Sequence, residues 1–317
     1  MKVLITGAAG FLGSAFARFH AERGDKVHGL DNMSAKHAAW VEHENISSVV
    51  GDAGYFFDGW SDAIKIDYDL LYHFAAPVGG RVMIEGDPMF NADSLRLDSA
   101  LFRWAAKHGQ NTTIVYPSSS AVYGVSLQSK GTKDNRPLAE GDFVPTDAAW
   151  GQPDEVYGLT KMVGEVLAHK AANYGVDTLC IRPFSGYGET QSLDYPVPSI
   201  CKRAAEKQNP LIVWGSGLQS RDFIHVDDVV GATVARVEAG VDGYEAMNIG
   251  TGKFRNFNQI AKVASYWAGY DASIENLVDR PEGVYARFCE PTRMLQYYTP
   301  VVTLEEGIRR VVEAHEA

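Results

Sequence analysis

Short apolar runs separated by longer stretches of helical period set the rhythm of the first half of the chain. Val3 to Ile5, Val27 to Leu30, Ile46 to Val50, Leu70 to Phe74, Thr113 to Tyr116 and Thr178 to Ile181 read as buried parallel strands. Helices are predicted between them over about 12–23, 89–108 and 155–174. Strand and helix in alternation give an α/β protein with a doubly wound parallel sheet, whose ligands bind off the carboxyl ends of the strands. After Arg182-Pro183-Phe184 the rhythm is less regular, with Tyr195-Pro196-Val197-Pro198, a short strand at 211–214 and helices near 227–239 and 256–268. The expected organisation is a larger domain over 1–182 and a smaller mixed α/β domain over 183–317. The second is interleaved with the first, with room for later segments to return to the sheet.

Composition narrows the class. The chain has 317 residues, 45% of them hydrophobic and 22% charged, as expected for a soluble globular enzyme. Its formal charge of −11 and pI near 5.3 argue against a general nucleic-acid or membrane-surface role, while leaving room for a local basic pocket. Cys180, Cys201 and Cys289 are too few and too scattered for a disulfide framework or a Cys-rich metal site, so buried free thiols and no metal are expected. With no long apolar segment for a signal peptide or membrane span, the expectation is a cytoplasmic protein.

Candidate chemistry begins at Gly7-Ala8-Ala9-Gly10-Phe11-Leu12-Gly13, between the first strand and the first helix. Glycines there permit a tight turn and let backbone amides approach a pyrophosphate, which the positive end of the following helix attracts. A purely structural turn has the same composition. The spacing is G-x-x-G-x-x-G, and Asp31 closes the second strand 18 positions after Gly13, beside Asn32. A carboxylate there accepts hydrogen bonds from a ribose 2′-hydroxyl and repels a 2′-phosphate, which favours NAD over NADP; a solvated strand-end Asp is the alternative. Asp52, next to Ala53 after the third strand, reads either as a carboxylate near the adenine or as an ordinary turn residue.

Further along, Ser118-Ser119-Ser120 follows the fifth strand, and Tyr157 with Lys161 forms a Tyr-x-x-x-Lys one helical turn apart. Six ordered blocks make the chain resemble the extended short-chain dehydrogenase/reductases, specifically their nucleotide-sugar epimerases and dehydratases. They are the glycine loop, His73-Phe74-Ala75-Ala76, Ser118 to Gly124, Tyr157 with Lys161, Arg182-Pro183-Phe184, and Gly215-x-Gly217-x-x-x-Arg221-Asp222-Phe223-Ile224-His225-Val226-Asp227-Asp228. The resemblance implies a Rossmann-type NAD domain, a smaller nucleotide-sugar domain and a homodimer formed through the helices near 89–108 and 155–174. It makes Phe74, Ala75, Ala76 and Arg81 cofactor-side candidates and matches Asn91 to a common family asparagine. His73 is read as a core histidine at a strand end.

By the same resemblance, Ser119 hydrogen-bonds the substrate hydroxyl and Tyr157 removes its proton while carbon gives up hydride. A free tyrosine, with a pKa of about 10, is mostly protonated at neutral pH, and a neighbouring ammonium stabilises its phenolate. Dehydratases of the family carry an Asp-Glu pair directly after their Thr, where this chain has Ser120 and Ala121. The 3,5-epimerases and GDP-fucose synthases use a Cys, and decarboxylating relatives a Glu, at the position of Ala121. These absences leave 4-epimerisation through a transient 4-keto sugar as the favoured reaction. An NAD-dependent reductase, dehydratase or decarboxylase, or a silent dinucleotide-binding sensor, is the alternative.

The partner implied is a nucleoside-diphosphate sugar. The resemblance gives Arg221 a phosphate role and Arg280 a nucleotide contact; a structural ion pair of Arg221 with Asp222 or Asp227 is the competing reading. Ser185 stands where the family often has Asn. Ser120 and Ser185 match hydroxyls that uronate-handling relatives place at the sugar carboxylate, yet 189–192 lacks their arginine, so neutral hexose and hexuronate both stay open. Tyr157 follows Ser119 by 38 positions, an unusually long spacing. The surplus, within 125–153 and containing Lys130, Lys133, Arg136 and Trp150, reads as a lid over the site or an oligomer contact.

Overall fold

The computed structural model of the chain describes residues 1–35, 37–59, 67–87, 89–129, 136–147, 151–280 and 282–316. The apolar runs become β1 (Lys2–Thr6), β2 (Lys26–Asp31), β3 (Ile46–Val50), β4 (Leu70–His73), β5 (Thr113–Pro117) and β6 (Thr178–Pro183). Tyr244–Ile249 joins beside β6, giving a seven-stranded sheet in the order 244–249, β6, β5, β4, β1, β2, β3. All its pairings are parallel. Because β1 lies between β2 and β4, the chain winds outward in both directions from it. The crevice beyond the carboxyl ends of β1 and β4 is therefore where a Rossmann-type sheet takes its ligand.

Helices cover both faces. Among them are α1 (Phe11–Glu22), α2 (Ala53–Asp58), α3 (Arg81–Gly86), α4 (Asp93–His108) and α5 (Glu155–Ala171). Phe16 and Ala17 of α1 and Val229 of the helix Val226–Glu238 bury Val3, Ile5 and Val27 on one face. On the other, Leu101 and Trp104 of α4 and Ala168 of α5 bury Leu4, Leu71 and Ile114. The predicted helix over 89–108 divides into a 3-10 turn, Phe90–Ala92, and α4, and the one over 155–174 ends in a 3-10 turn, Ala172–Tyr174.

The later chain builds a smaller core. Helices Pro196–Ala205, Phe257–Trp267 and Leu304–Glu316 bury Ile200, Ile260, Ile308 and Val311 against one another. Pro196 and Pro198 did not read as a helix in the sequence, but Pro196 sits at the first helical position, where its missing N–H costs nothing.

The long stretch over 125–153 departs from its reading as a lid or oligomer contact in its middle. Leu138 and Phe143 are buried, and Leu138 exchanges backbone hydrogen bonds with Phe288 and Glu290, both 2.9 Å. Arg182 donates to the carbonyls of Glu140 and Phe143 at 3.1 and 3.0 Å, so this segment is an inner strap. Arg136 pairs with Asp142, while Lys130, Lys133 and Trp150 lie outside the described residues.

Candidate functional site

The glycine loop is shaped first by its own backbone. Gly7 has φ +71°, and a Cβ on it would lie 2.5 Å from the Phe74 carbonyl carbon; a Cβ on Gly13 would lie 2.0 Å from the Gly7 oxygen. Gly10 differs: only the Gly7 oxygen, at 3.2 Å, faces its missing Cβ. It caps α1 without a side-chain hydrogen bond, leaving the first-turn amides of Phe11, Leu12 and Gly13 directed out of the helix. Such donors at the positive end of a helix fit a pyrophosphate.

Asp31 is buried beneath this loop. Its Oδ2 accepts from the Ala9 amide at 3.0 Å and its Oδ1 from Met33 at 2.7 Å. Each carboxylate oxygen retains a lone pair for a ribose hydroxyl, so the cradle fits NAD. Asn32 Oδ1 accepts from Ser34. Asp52 is placed further out, as the cap of α2: it accepts from the Tyr55 amide and pairs with Arg96, and that pairing holds its carboxyl below the usual range. Ala53 is buried in the first turn of α2. Ala75 donates to Thr6 Oγ1 at 3.3 Å, with Ala76 next in the chain, and Phe74 packs on Phe16. His73 is a core histidine, hydrogen-bonded to Thr6 and 3.5 Å from Asp98. Asn91 is fully buried, and neither side-chain polar atom has a partner among the described residues.

Ser119, Tyr157 and Lys161 are set by close packing of α5 on the end of β5. A Cβ on Gly158 would meet the Ala121 oxygen at 2.4 Å, and one on Gly164 would overlap Tyr116 Oη at 1.8 Å, so only glycine lets the helix approach. Lys161 is buried, its Nζ 5.2 Å from the Tyr116 ring centre and 6.0 Å from that of Tyr157. Ser119 precedes the 3-10 turn Ser120–Val122, and its Oγ accepts from the Ala121 amide at 3.1 Å. Ser120 is buried in that turn, and Ser185 lies beyond β6 at φ +31°. Behind them, Ser118 donates to Glu165, which Arg182 grips with two hydrogen bonds of 2.8 and 2.6 Å. Both members of that ion pair are fully buried, and Tyr244 also donates to Glu165 at 2.6 Å. The network ties β5, α5, β6 and the strand 244–249 together directly behind Ser119.

A wall of arginines gathers at the start of α5, around Asp154. Strands Ser220–Arg221, Arg255–Asn256 and Ala286–Arg287 form a small sheet in which Arg221 lies in register with Arg255 on one side and Arg287 on the other. Like charges directly opposite on one face repel. The Arg221 guanidinium donates to the carbonyls of Ser220 and Glu282 but meets no carboxylate among the described residues. Asp222 instead accepts from Thr251, Gly252 and Cys289, and Asp227 pairs with Arg310, which removes the structural ion pair as the explanation of Arg221. Burial, then Arg287 and Arg81, push the Arg221 guanidinium down to about 9, with Asp154 and Glu282 partly offsetting them.

Arg81, a cofactor-side candidate in the sequence, joins this wall through Asp154 and also pairs with Glu85. Its Nη1 donates to Asp154 at 2.7 Å, because the first turn of α3 faces the start of α5. Arg287 holds the other oxygen of Asp154, also at 2.7 Å. Arg280 packs over the partly exposed ring of Trp214 at 5.4 Å, an aromatic platform beside the wall. Arg287, Asp154 and Trp214 were not singled out in the sequence. No motif marks them, and register between distant strands brings them together.

Comparison with known proteins agrees with this architecture. Residues 3–250 match the family described as the NAD dependent epimerase/dehydratase family. A UDP-glucuronate 4-epimerase of Thermodesulfobacterium geofontis is 26% identical over 322 residues, spanning 98% of this chain and 94% of that protein. An uncharacterized UDP-glucose epimerase of Bacillus subtilis is likewise 26% identical, over 97% of this chain and 96% of its own length. The crystal structure of a UDP-glucuronic acid 4-epimerase from Bacillus cereus, with UDP-glucuronic acid and NAD, superposes with a TM-score of 0.81 at 23% identity, over 99% of both chains. With a glycine cradle, a Tyr-x-x-x-Lys helix and a match over most of its length, the chain belongs to the NAD-dependent epimerase/dehydratase family.

Proposed function

We propose that the chain is an NAD-dependent nucleotide-sugar epimerase that inverts C4 of a nucleoside-diphosphate hexose or hexuronate. The observation that carries this reading is the set of Ser119, Tyr157 and Lys161 on the closely packed α5 and β5, flanked by Ser120 and Ala121, with no acid or thiol there. Tyr157 Oη takes the proton of the substrate O4 and later returns it. Ser119 hydrogen-bonds the same oxygen, and the Lys161 ammonium stabilises the phenolate. The loop 7–13 and Asp31 would hold NAD, which when bound takes up a hydride and gives it back. Arg221 and Arg280 bind the diphosphate and nucleotide side of the substrate, with Ser120 and Ser185 toward the sugar.

Glu189 is already engaged within the fold: it pairs with Arg310 at 2.6 Å and His225 at 3.2 Å. A hexuronate carboxylate therefore gains no basic partner at that position. Residues 1–182 would bind NAD and most of 183–317 the nucleotide sugar, with 244–249 crossing back into the sheet. The reading also includes a cytoplasmic homodimer. Three buried free thiols support the first, and the exposed Leu95 of α4 and Leu159 of α5 the second. Among the described residues no helix is long and apolar enough to cross a membrane.

The test is a panel of UDP-, GDP- and dTDP-sugars followed by NMR. Interconversion at C4 without added cofactor is expected; stoichiometric NAD reduction, or release of water or carbon dioxide, contradicts it. Tyr157→Phe is expected to lower kcat by about 10²–10⁴-fold while NAD stays bound, and retained turnover refutes the assigned role.

A further inference from the structure

Asp154 occupies the cap position of α5, three residues before Tyr157, yet its carboxylate makes no cap hydrogen bond. An aspartate there ordinarily accepts from the second or third helical amide and stabilises the helix. Here its two oxygens are spent elsewhere, one on Arg81 and one on Arg287, each at 2.7 Å. Burial would raise its pKa, but the two arginines hold it below the usual carboxylate range.

The backbone at this point is keyed to both sides of the site. The Asp154 amide donates to the Ala121 carbonyl at 3.0 Å, beside Ser119. The next residue, Glu155, holds φ +58°, a left-handed conformation that strains a non-glycine residue. Its carboxylate lies 4.0 Å from Arg81. The start of the helix is thus under strain and is fixed by the same arginine that Asp154 holds.

Those arginines are also neighbours of Arg221, whose guanidinium makes no ion pair among the described residues. Arg287 lies in register with it, and Gly283 brings the guanidinia of Arg221 and Arg81 together, each 3.5 Å from the place its Cβ would occupy. We propose that Asp154 is a positioning residue: it ties the arginines of the diphosphate wall to the first turn of α5, so that the wall and Tyr157 are held in one geometry. This rests on the nucleotide-sugar reading above. In the absence of the Asp154 charge the wall is more positive and still attracts a diphosphate, but the catalytic helix loses its anchor.

The consequence is a split between binding and turnover. In Asp154→Asn, kcat is expected to fall about 10²-fold, the order expected of a small misplacement of a reacting group. The Kd for UDP, by calorimetry, is expected to be unchanged or tighter, since the wall has lost a negative neighbour. Asp154→Glu, which keeps the charge, should recover part of kcat. A purely structural aspartate would lower kcat and UDP affinity together, and that outcome, like an unchanged kcat, overturns the proposal. If Asp154→Asn does not fold, Asp154→Glu is judged by the same split: a lower kcat at wild-type UDP affinity supports it, and parallel losses or none overturn it. Wild-type protein that neither binds UDP nor turns over any nucleotide sugar refutes the underlying reading instead.

Discussion

The glycine loop and the arginine wall both fit phosphate, but they are built in opposite ways. The loop is one contiguous stretch, 7–13, whose geometry its own backbone dictates: Gly7 and Gly13 are excluded from carrying a side chain by atoms 2.0–2.6 Å away. The wall draws Arg81, Arg221 and Arg287 from three distant parts of the chain and holds them by strand register and one shared carboxylate. The first attracts an anion with neutral amides and leaves no charge exposed when empty. The second keeps guanidinia together at a cost that a bound anion relieves. Binding and stability should therefore be coupled with opposite sign in the two places.

The largest effect that tests this contrast is in the loop. Gly13→Ala places a methyl group against the Gly7 oxygen and is expected to destabilise the fold by about 3 kcal/mol or more, seen as a lower denaturation midpoint with NAD binding lost. Gly10→Ala, with a single 3.2 Å contact, should change stability by only about 1 kcal/mol. It should nonetheless weaken NAD by about tenfold, because the methyl occupies the pyrophosphate side of the turn. Equal effects from both would mean that Gly10 too is structural.

In the wall the sign reverses. Arg221→Met removes two donors and is expected to weaken UDP by about 10–100-fold, the range for hydrogen bonds to a charged group. Thermal stability should hold or rise, since a guanidinium repelled by Arg287 and Arg81 has been taken away. A fall in stability matching the loss of affinity would show that Arg221 is part of the scaffold.

The smallest effect concerns Glu189, which joins the Tyr187 turn to the last helix. Burial alone would raise its pKa, but the hydrogen bond from His225 and the charge of Arg310 bring it down to about 2. A carboxyl with a folded pKa below its unfolded value adds stability above pH 4.5 that is lost as pH falls toward 2. Glu189→Gln should flatten the stability profile in that window, measured by urea denaturation at stepped pH. A profile unchanged from wild type would remove the ion pair from the account.

How much of this was legible in the sequence follows from the same contrast. Six sheet strands, the glycine turn and the Tyr157-Lys161 helix are local patterns of period or spacing, and the structure contains each of them. The strand Tyr244–Ile249 was hidden by Glu245 and Asn248. Asn248 is buried because Tyr123 and Leu138 satisfy its side chain, which only the fold reveals. The pairing of Arg81 with Asp154 joins residues 73 positions apart, which no spacing announces. The strap over 136–147 read as surface because it is polar in composition. Its burial depends on Arg182, which also holds Glu165 behind Ser119. Partners distant in sequence leave no spacing to read.

In the proposed epimerisation, hydride leaves C4 and comes back to it within one protein. The most direct test uses a turned-over nucleotide sugar carrying deuterium at C4, incubated with the purified protein in ordinary water and followed by NMR. Retention of the deuterium at C4 in both epimers, with none in solvent, is the expected result. Loss of the label to water would mean inversion by simple deprotonation, and its appearance in free reduced cofactor would mean a net oxidation; either contradicts the account.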